Sequence, residues 1–219
     1  MVTLPNHIYL FRRIVEVRGL GAALDDYFGR LKRRVGLERP REKVATLPND
    51  VLGVNVKWGV HYVPSRKEIF SKAIQSLPIR FEDYTFVDIG AGKGEVLLMA
   101  TEYKFKRLLG VEYSKTLADI AISRGVECVC MDATEFVLPA GPTVIYLYNP
   151  FQGKVMDKVI RNIEQSLQDA QRDLFIVYVN PWERRKFARS RYFKTIAENW
   201  DVLNWEFCIY RSIVFSGSK

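Results

Sequence analysis

The apolar positions change period along the chain, and the changes mark its elements. Ile69, Phe70, Ala73, Ile74 and Leu77 recur at the spacing of one helix face, and Ser65-Arg66-Lys67-Glu68 just ahead of them reads as a capping box. Residues 85–89 form a short apolar run that stops at glycines, which predicts a buried strand. The pattern then alternates: helix 95–103, strand 107–112, helix 116–123 with Ser114 as its cap, and strand 127–131. Strand 143–148 ends at Pro150, helix 155–167 follows, and strand 173–179 ends at Pro181. Strand-like runs at 201–205 and 208–215 close the chain. The first 60 residues read differently, with amphipathic helical stretches at 8–17 and 20–35 broken near Gly19 and Gly21. An irregular piece with Pro40, Pro48 and Gly53 leads to a short strand or hairpin at 54–62.

Strands alternating with helices predict an α/β fold with a doubly wound, mostly parallel sheet. Seven strand candidates are present. The gap between the last two permits a hairpin but no helical crossover, so one of them is expected to run antiparallel. The expected division is a basic, helical N-terminal extension at 1–63 and one α/β domain at 64–219, and no internal repeat is apparent.

A chain of 219 residues suits one full domain with an extension, and 48% apolar with 26% charged residues is the balance of a folded globular protein. No apolar run reaches the length of a membrane span. Arg12, Arg13 and Glu16 interrupt the first apolar stretch, so no cleaved leader is expected. The three cysteines are odd in number, and Cys128 and Cys130 sit two apart in a strand, which favours a reducing, cytoplasmic location. With only His7 and His61 to join them, no metal site is expected.

The net charge of +8 favours an anionic partner. It is uneven: the first 60 residues carry 11 Lys and Arg against 6 Asp and Glu. A second basic stretch holds Arg184, Arg185, Lys186, Arg189, Arg191 and Lys194 with Trp182, Tyr192 and Phe193. Cations interleaved with aromatics suit nucleic acid, and a solvated helix face is the plainer account of the same residues.

The chemistry concentrates in Val87-Asp88-Ile89-Gly90-Ala91-Gly92-Lys93-Gly94-Glu95, a strand, then glycines, then a helix. In an open parallel sheet this loop lies at the carboxyl ends of the strands, where ligands bind. The spacing is G-x-G-x-G, not the G-x-G-x-x-G of dinucleotide folds, which disfavours a dehydrogenase. Asp88, just before the first glycine, would repel a pyrophosphate and suit an ammonium or sulfonium. Lys93 is followed by Gly94 where a triphosphate loop needs Ser or Thr. Glu112 ends the next strand eighteen residues after Gly94, at the place of an acid that accepts from ribose hydroxyls. Asp132 ends the third strand, where it either accepts from an adenine amino group or caps the Asp132-Ala133-Thr134-Glu135 turn.

Asp88-Ile89-Gly90-Ala91-Gly92-Lys93-Gly94 together with Glu112 resembles motif I and the ribose acid of class I S-adenosylmethionine-dependent methyltransferases. The resemblance covers residues 64–219 and implies a seven-stranded sheet whose last strand is antiparallel. It implies S-adenosylmethionine as cofactor, with Asp88, Gly90 and Gly92 toward its methionine end, Glu112 at the ribose, Asp132 at the adenine, and Ala91, Gly94, Tyr113 and Ala133 also lining it.

Tyr148-Asn149-Pro150-Phe151 at the end of the fourth strand is similar to the Asn/Asp-Pro-Pro-aromatic motif of amino-group methyltransferases, without its second proline. The resemblance implies that the Asn149 side-chain oxygen and the Pro150 carbonyl accept the hydrogens of an NH₂ group. Phe151 would stack on a flat acceptor, and Asn149 would also border the cofactor. The alternative is that Asn-Pro ends a strand and Phe151 is core. His61-Tyr62-Val63-Pro64-Ser65 resembles the Tyr-x-x-Ser/Thr segment of seven-strand lysine methyltransferases, which implies that Tyr62 and Ser65 close over the methionine end of the cofactor. The expected activity is N-methylation of a protein lysine or a small-molecule amine. An RNA or DNA methyltransferase and a non-catalytic binding module are the alternatives, and the sequence does not indicate an oligomeric state.

Overall fold

A computed structural model describes residues 66–199 and 207–213. The two N-terminal helical stretches, the 54–62 segment, the expected boundary at residue 63, and His61, Tyr62 and Ser65 lie outside the described residues. So does the strand expected at 201–205.

The first described helix, α1 (Lys67–Gln75), buries Ile69, Phe70, Ala73 and Ile74 on one face. Arg66 takes its N-cap position in an extended conformation, with no side-chain cap bond. β1 (Thr85–Ile89) leads into α2 (Glu95–Ala100), and β2 (Arg107–Glu112) into α3 (Lys115–Ser123). Helix α2 is shorter than the expected 95–103, because Thr101–Tyr103 tightens into a 3₁₀ turn that ends at Lys104 with φ 53°. Ser114 caps α3 as expected, accepting from the Leu117 amide at 3.3 Å. Next come β3 (Cys128–Cys130), β4 (Thr143–Tyr148), α4 (Gly153–Asp169), β5 (Leu174–Val179), α5 (Arg184–Ala188), β6 (Phe193–Asn199) and β7 (Phe207–Ser212).

The seven strands are ordered β3-β2-β1-β4-β5-β7-β6. β1 to β5 pair in parallel, and β7 runs antiparallel to both of its neighbours. This is the mixed α/β sheet expected. Residues 193–199 form an edge strand in a stretch where the sequence analysis named no strand. A register irregularity between Thr195 and Ala197 breaks the two-residue alternation, and Lys194 and Glu198 point to solvent, as edge strands commonly arrange.

Side chains alternate between two buried layers. Phe86, Val144, Tyr146, Phe175, Val177 and Ile209 face α1, α2 and α3. Val87, Ile89, Ile145, Leu147, Ile176 and Tyr210 face α4 and α5. Helix α4 buries Val155, Met156, Val159, Ile160, Ile163 and Leu167, and burial of each such side chain is worth about 1.5–3 kcal/mol. Gly110 in β2 is a packing requirement: a Cβ there would lie 2.8 Å from Leu97 Cδ1 and 3.0 Å from both Ala91 Cβ and Cys128 Sγ. The absent side chain lets α2 and the glycine loop close onto the sheet. Among the described residues no helix is long and apolar enough to cross a membrane. All three cysteines are free thiols.

Candidate cofactor and acceptor site

The strand order reverses between β1 and β4, so the loops leaving these two strands diverge to opposite faces and open a crevice at their carboxyl ends. The glycine loop occupies this edge. The amides of Gly90 and Ala91 both donate to the Val111 carbonyl, at 2.8 and 3.1 Å, which fastens the loop to β2. Gly90, at φ 85°, has no room for a side chain, since a Cβ would lie 2.7 Å from Pro150 Cβ. The loop after β1 and the turn after β4 are therefore in direct contact.

Glu112 faces this loop from the end of β2. One carboxylate oxygen accepts from the Gly92 amide at 2.8 Å and the other from the Ser114 amide at 2.8 Å. Burial pushes its carboxyl above the usual range, and the amides of Ser114, Gly92 and Tyr113 pull it back. Asp88 lies beneath the loop, only 2% exposed. Burial, then the charge of Glu112, pushes its carboxyl up to about 8. Among the described residues no cation contributes at either acid. Asp132 accepts from the Thr134 amide at 2.8 Å in a turn, and the capping pattern there starts no helix. Ala91 and Ala133 are buried, whereas Tyr113 is 42% exposed beside Glu112.

The turn after β4 holds Asn149 in the left-handed region, φ 42°, with its side chain buried. Its Oδ1 accepts from the Tyr178 hydroxyl at 3.2 Å, and its buried Nδ2 has no hydrogen-bond partner among the described residues. Phe151 is half-buried against the layer that holds α4. Tyr178 itself accepts from the Glu183 amide at 3.2 Å. Glu183 Oε1 accepts from the Gly153 amide at 3.0 Å, and Lys186 Nζ donates to the Gly153 carbonyl at 2.8 Å. The turns after β4 and β5 are thus clamped together. Sequence reasoning missed Tyr178, Glu183 and Lys186 as site-building residues. A signal was available, because Asn180-Pro181-Trp182 repeats the Asn-Pro-aromatic pattern of residues 149–151.

Burial raises the phenols of Tyr148, to about 12, and Tyr178, so both stay protonated at neutral pH. Of the aromatics in the basic stretch, Tyr192 and Phe193 are core residues, which removes them as stacking surfaces for an external ligand. Trp182 is half exposed.

A glycine loop after β1, an acid at the end of β2 and an antiparallel β7 between β5 and β6 define the class I S-adenosylmethionine-dependent methyltransferase fold. The site fits that cofactor. With no cation beside them among the described residues, the two buried acids suit hydroxyl donors and would reject a phosphate.

Two solved structures agree with this fold. A putative methyltransferase, yhhF, from Escherichia coli superposes with a TM-score of 0.54 at 15% identity, covering 68% of this chain and 89% of that one. The putative methyltransferase complexed with the Trm112 methyltransferase activator of Haloferax volcanii gives a TM-score of 0.50 at 12% identity, covering 67% and 89%. The YcgJ protein of Bacillus subtilis gives 0.44 at 20% identity, over 52% of this chain and only half of that one. No protein-family model matches the chain, and no curated protein matches it in sequence.

Proposed function

We propose that the protein transfers the methyl group of S-adenosylmethionine to an amino nitrogen. The observation that carries this reading is the contact of Gly90 with Pro150, which sets a polar acceptor turn against the glycine loop. When bound, the cofactor supplies a methyl already activated by its sulfonium, so the protein has to supply orientation and dehydration. Glu112 would accept from the ribose hydroxyls, Asp88 would support the loop beneath the methionine end, and Gly90, Ala91, Gly92 and Gly94 would admit close backbone approach. Tyr113, Asp132 and Ala133 would border the base, and Tyr62 and Ser65 would cover the methionine end.

On the acceptor side, Asn149 Oδ1 keeps a second lone pair beyond the one used by Tyr178. Together with the Pro150 carbonyl, it would accept from the acceptor NH₂ and aim the nitrogen lone pair. The sequence favours a protein lysine or a small-molecule amine. The free thiols Cys128, Cys130 and Cys208 support a cytoplasmic location.

Calorimetry with S-adenosylmethionine and with NAD tests the cofactor: only the first should bind. Methyl-labelled cofactor incubated with cell lysate, with protease-treated lysate and with nuclease-treated lysate then reports the acceptor class. Label transfer that survives in Asn149→Ala at full rate would remove the amino-group assignment.

A further inference from the structure

We propose that Trp182 is a stacking platform for a base of a single-stranded nucleic acid, with Arg185, Arg189 and Lys154 taking the adjoining phosphates. The inference rests on the amino-group reading above and narrows it to an amine carried by that base.

β5 ends as β4 does, in Asn-Pro-aromatic with the asparagine left-handed: φ is 42° at Asn149 and 51° at Asn180. The strands pair in register through Tyr148 and Val179, so the two turns adjoin. The Tyr178 hydroxyl and the Glu183 carboxylate fasten them to each other. The two rings have different fates. Phe151 is half-buried against the core, whereas Trp182 remains 51% exposed. The Trp182 indole N–H donates to Asn180 Oδ1 at 2.8 Å, and its backbone amide donates to the Asn180 carbonyl at 2.8 Å. The polar edge of the ring is satisfied and its side chain is held, so what it offers to a partner is an apolar face at low ordering cost.

The surrounding charge selects the partner. Lys186 lies 2.7 Å from Asp157 and 3.3 Å from Glu183, which offsets one of the two negative charges of this rim. Arg185, Arg189 and Lys154 are exposed, and none pairs with an acid among the described residues. A cationic peptide would meet repulsion here, whereas a strand of stacked bases on a phosphate backbone matches both the ring and the cations.

The test titrates the full chain with short adenine-rich single-stranded RNA, the same sequence as DNA, and a lysine-rich peptide, read by tryptophan fluorescence and by anisotropy of labelled strands. Binding of either nucleic acid should quench the fluorescence. Trp182→Ala should weaken it about tenfold or more, and Trp182→Phe should retain most of it. Arg185→Ser with Arg189→Ser should make the log–log salt slope shallower by about two phosphate contacts. Affinity for S-adenosylmethionine should not change in any of these variants. Nucleic-acid affinity that is indifferent to Trp182, or peptide binding that depends on it, would overturn the inference. The two failures are separable: without S-adenosylmethionine binding the underlying reading falls, and with it intact but Trp182 irrelevant only this one does.

Discussion

The Tyr178 hydroxyl joins two strand ends, donating to Asn149 Oδ1 and accepting from the Glu183 amide, each at 3.2 Å. Tyr178 is fully buried and its ring packs edge-on against Phe187, so the hydroxyl has little freedom to move. Tyr178→Phe keeps that packing and removes both bonds. Leaving a buried acceptor and donor unmatched should cost about 1–3 kcal/mol of stability. Turnover should fall about tenfold through misalignment of Asn149, with cofactor affinity within about twofold of wild type. Turnover unchanged alongside a lowered melting temperature would make Tyr178 purely structural.

Glu112→Ala should weaken S-adenosylmethionine binding by about 1–3 kcal/mol, the worth of charge-assisted hydrogen bonds to hydroxyls. It also releases the amides of Gly92 and Ser114. Calorimetry paired with a circular dichroism melt separates these effects. Wild-type affinity in the folded variant would remove Glu112 from the cofactor site.

Asp88 predicts a pH dependence of stability. Its native carboxyl is raised to about 8 from an ordinary value of 3.8, so between these values the native state holds a proton that the unfolded chain has released. Stability is therefore lost progressively as pH rises through that window. Asp88→Asn should be more stable than wild type above about pH 8, and the difference should shrink as pH falls toward 4. Melting curves across the range check this, and a constant difference at every pH would contradict it.

Phe151→Ala distinguishes core from contact residue. The ring packs against the layer beneath α4, so truncation should cost about 2–4 kcal/mol of stability. A raised KM with an unchanged melting temperature would restore the stacking role that its motif suggests.

Gly90→Ala tests the contact between the two turns. The substitution puts a Cβ 2.7 Å from Pro150 at a φ that side chains rarely adopt, so the β4 turn must shift. About 1–3 kcal/mol of strain is expected, with cofactor affinity and turnover both reduced. Loss of affinity with turnover preserved at saturating cofactor would show that the turns are not coupled.

The strands that carry the site were legible from residue order alone. β1, β2 and β4 lie where expected because each is a continuous apolar run, buried on both faces and stopped by glycine, a charged turn or proline. Glu112 was legible because an acid one βα unit beyond a glycine loop must fall at the next strand end. The tertiary structure decided what depends on neighbours distant in sequence. The edge position of β6 let charges and a bulge hide its alternation. The fates of Phe151, Tyr192 and Phe193 on one side and Trp182 on the other follow from which ring the α4 and α5 layer covers, and residue type does not encode that. The Tyr178–Asn149 bond arises from the register of β4 on β5: a tyrosine inside a wholly apolar strand reads as core until the strand beside it supplies a partner for its hydroxyl.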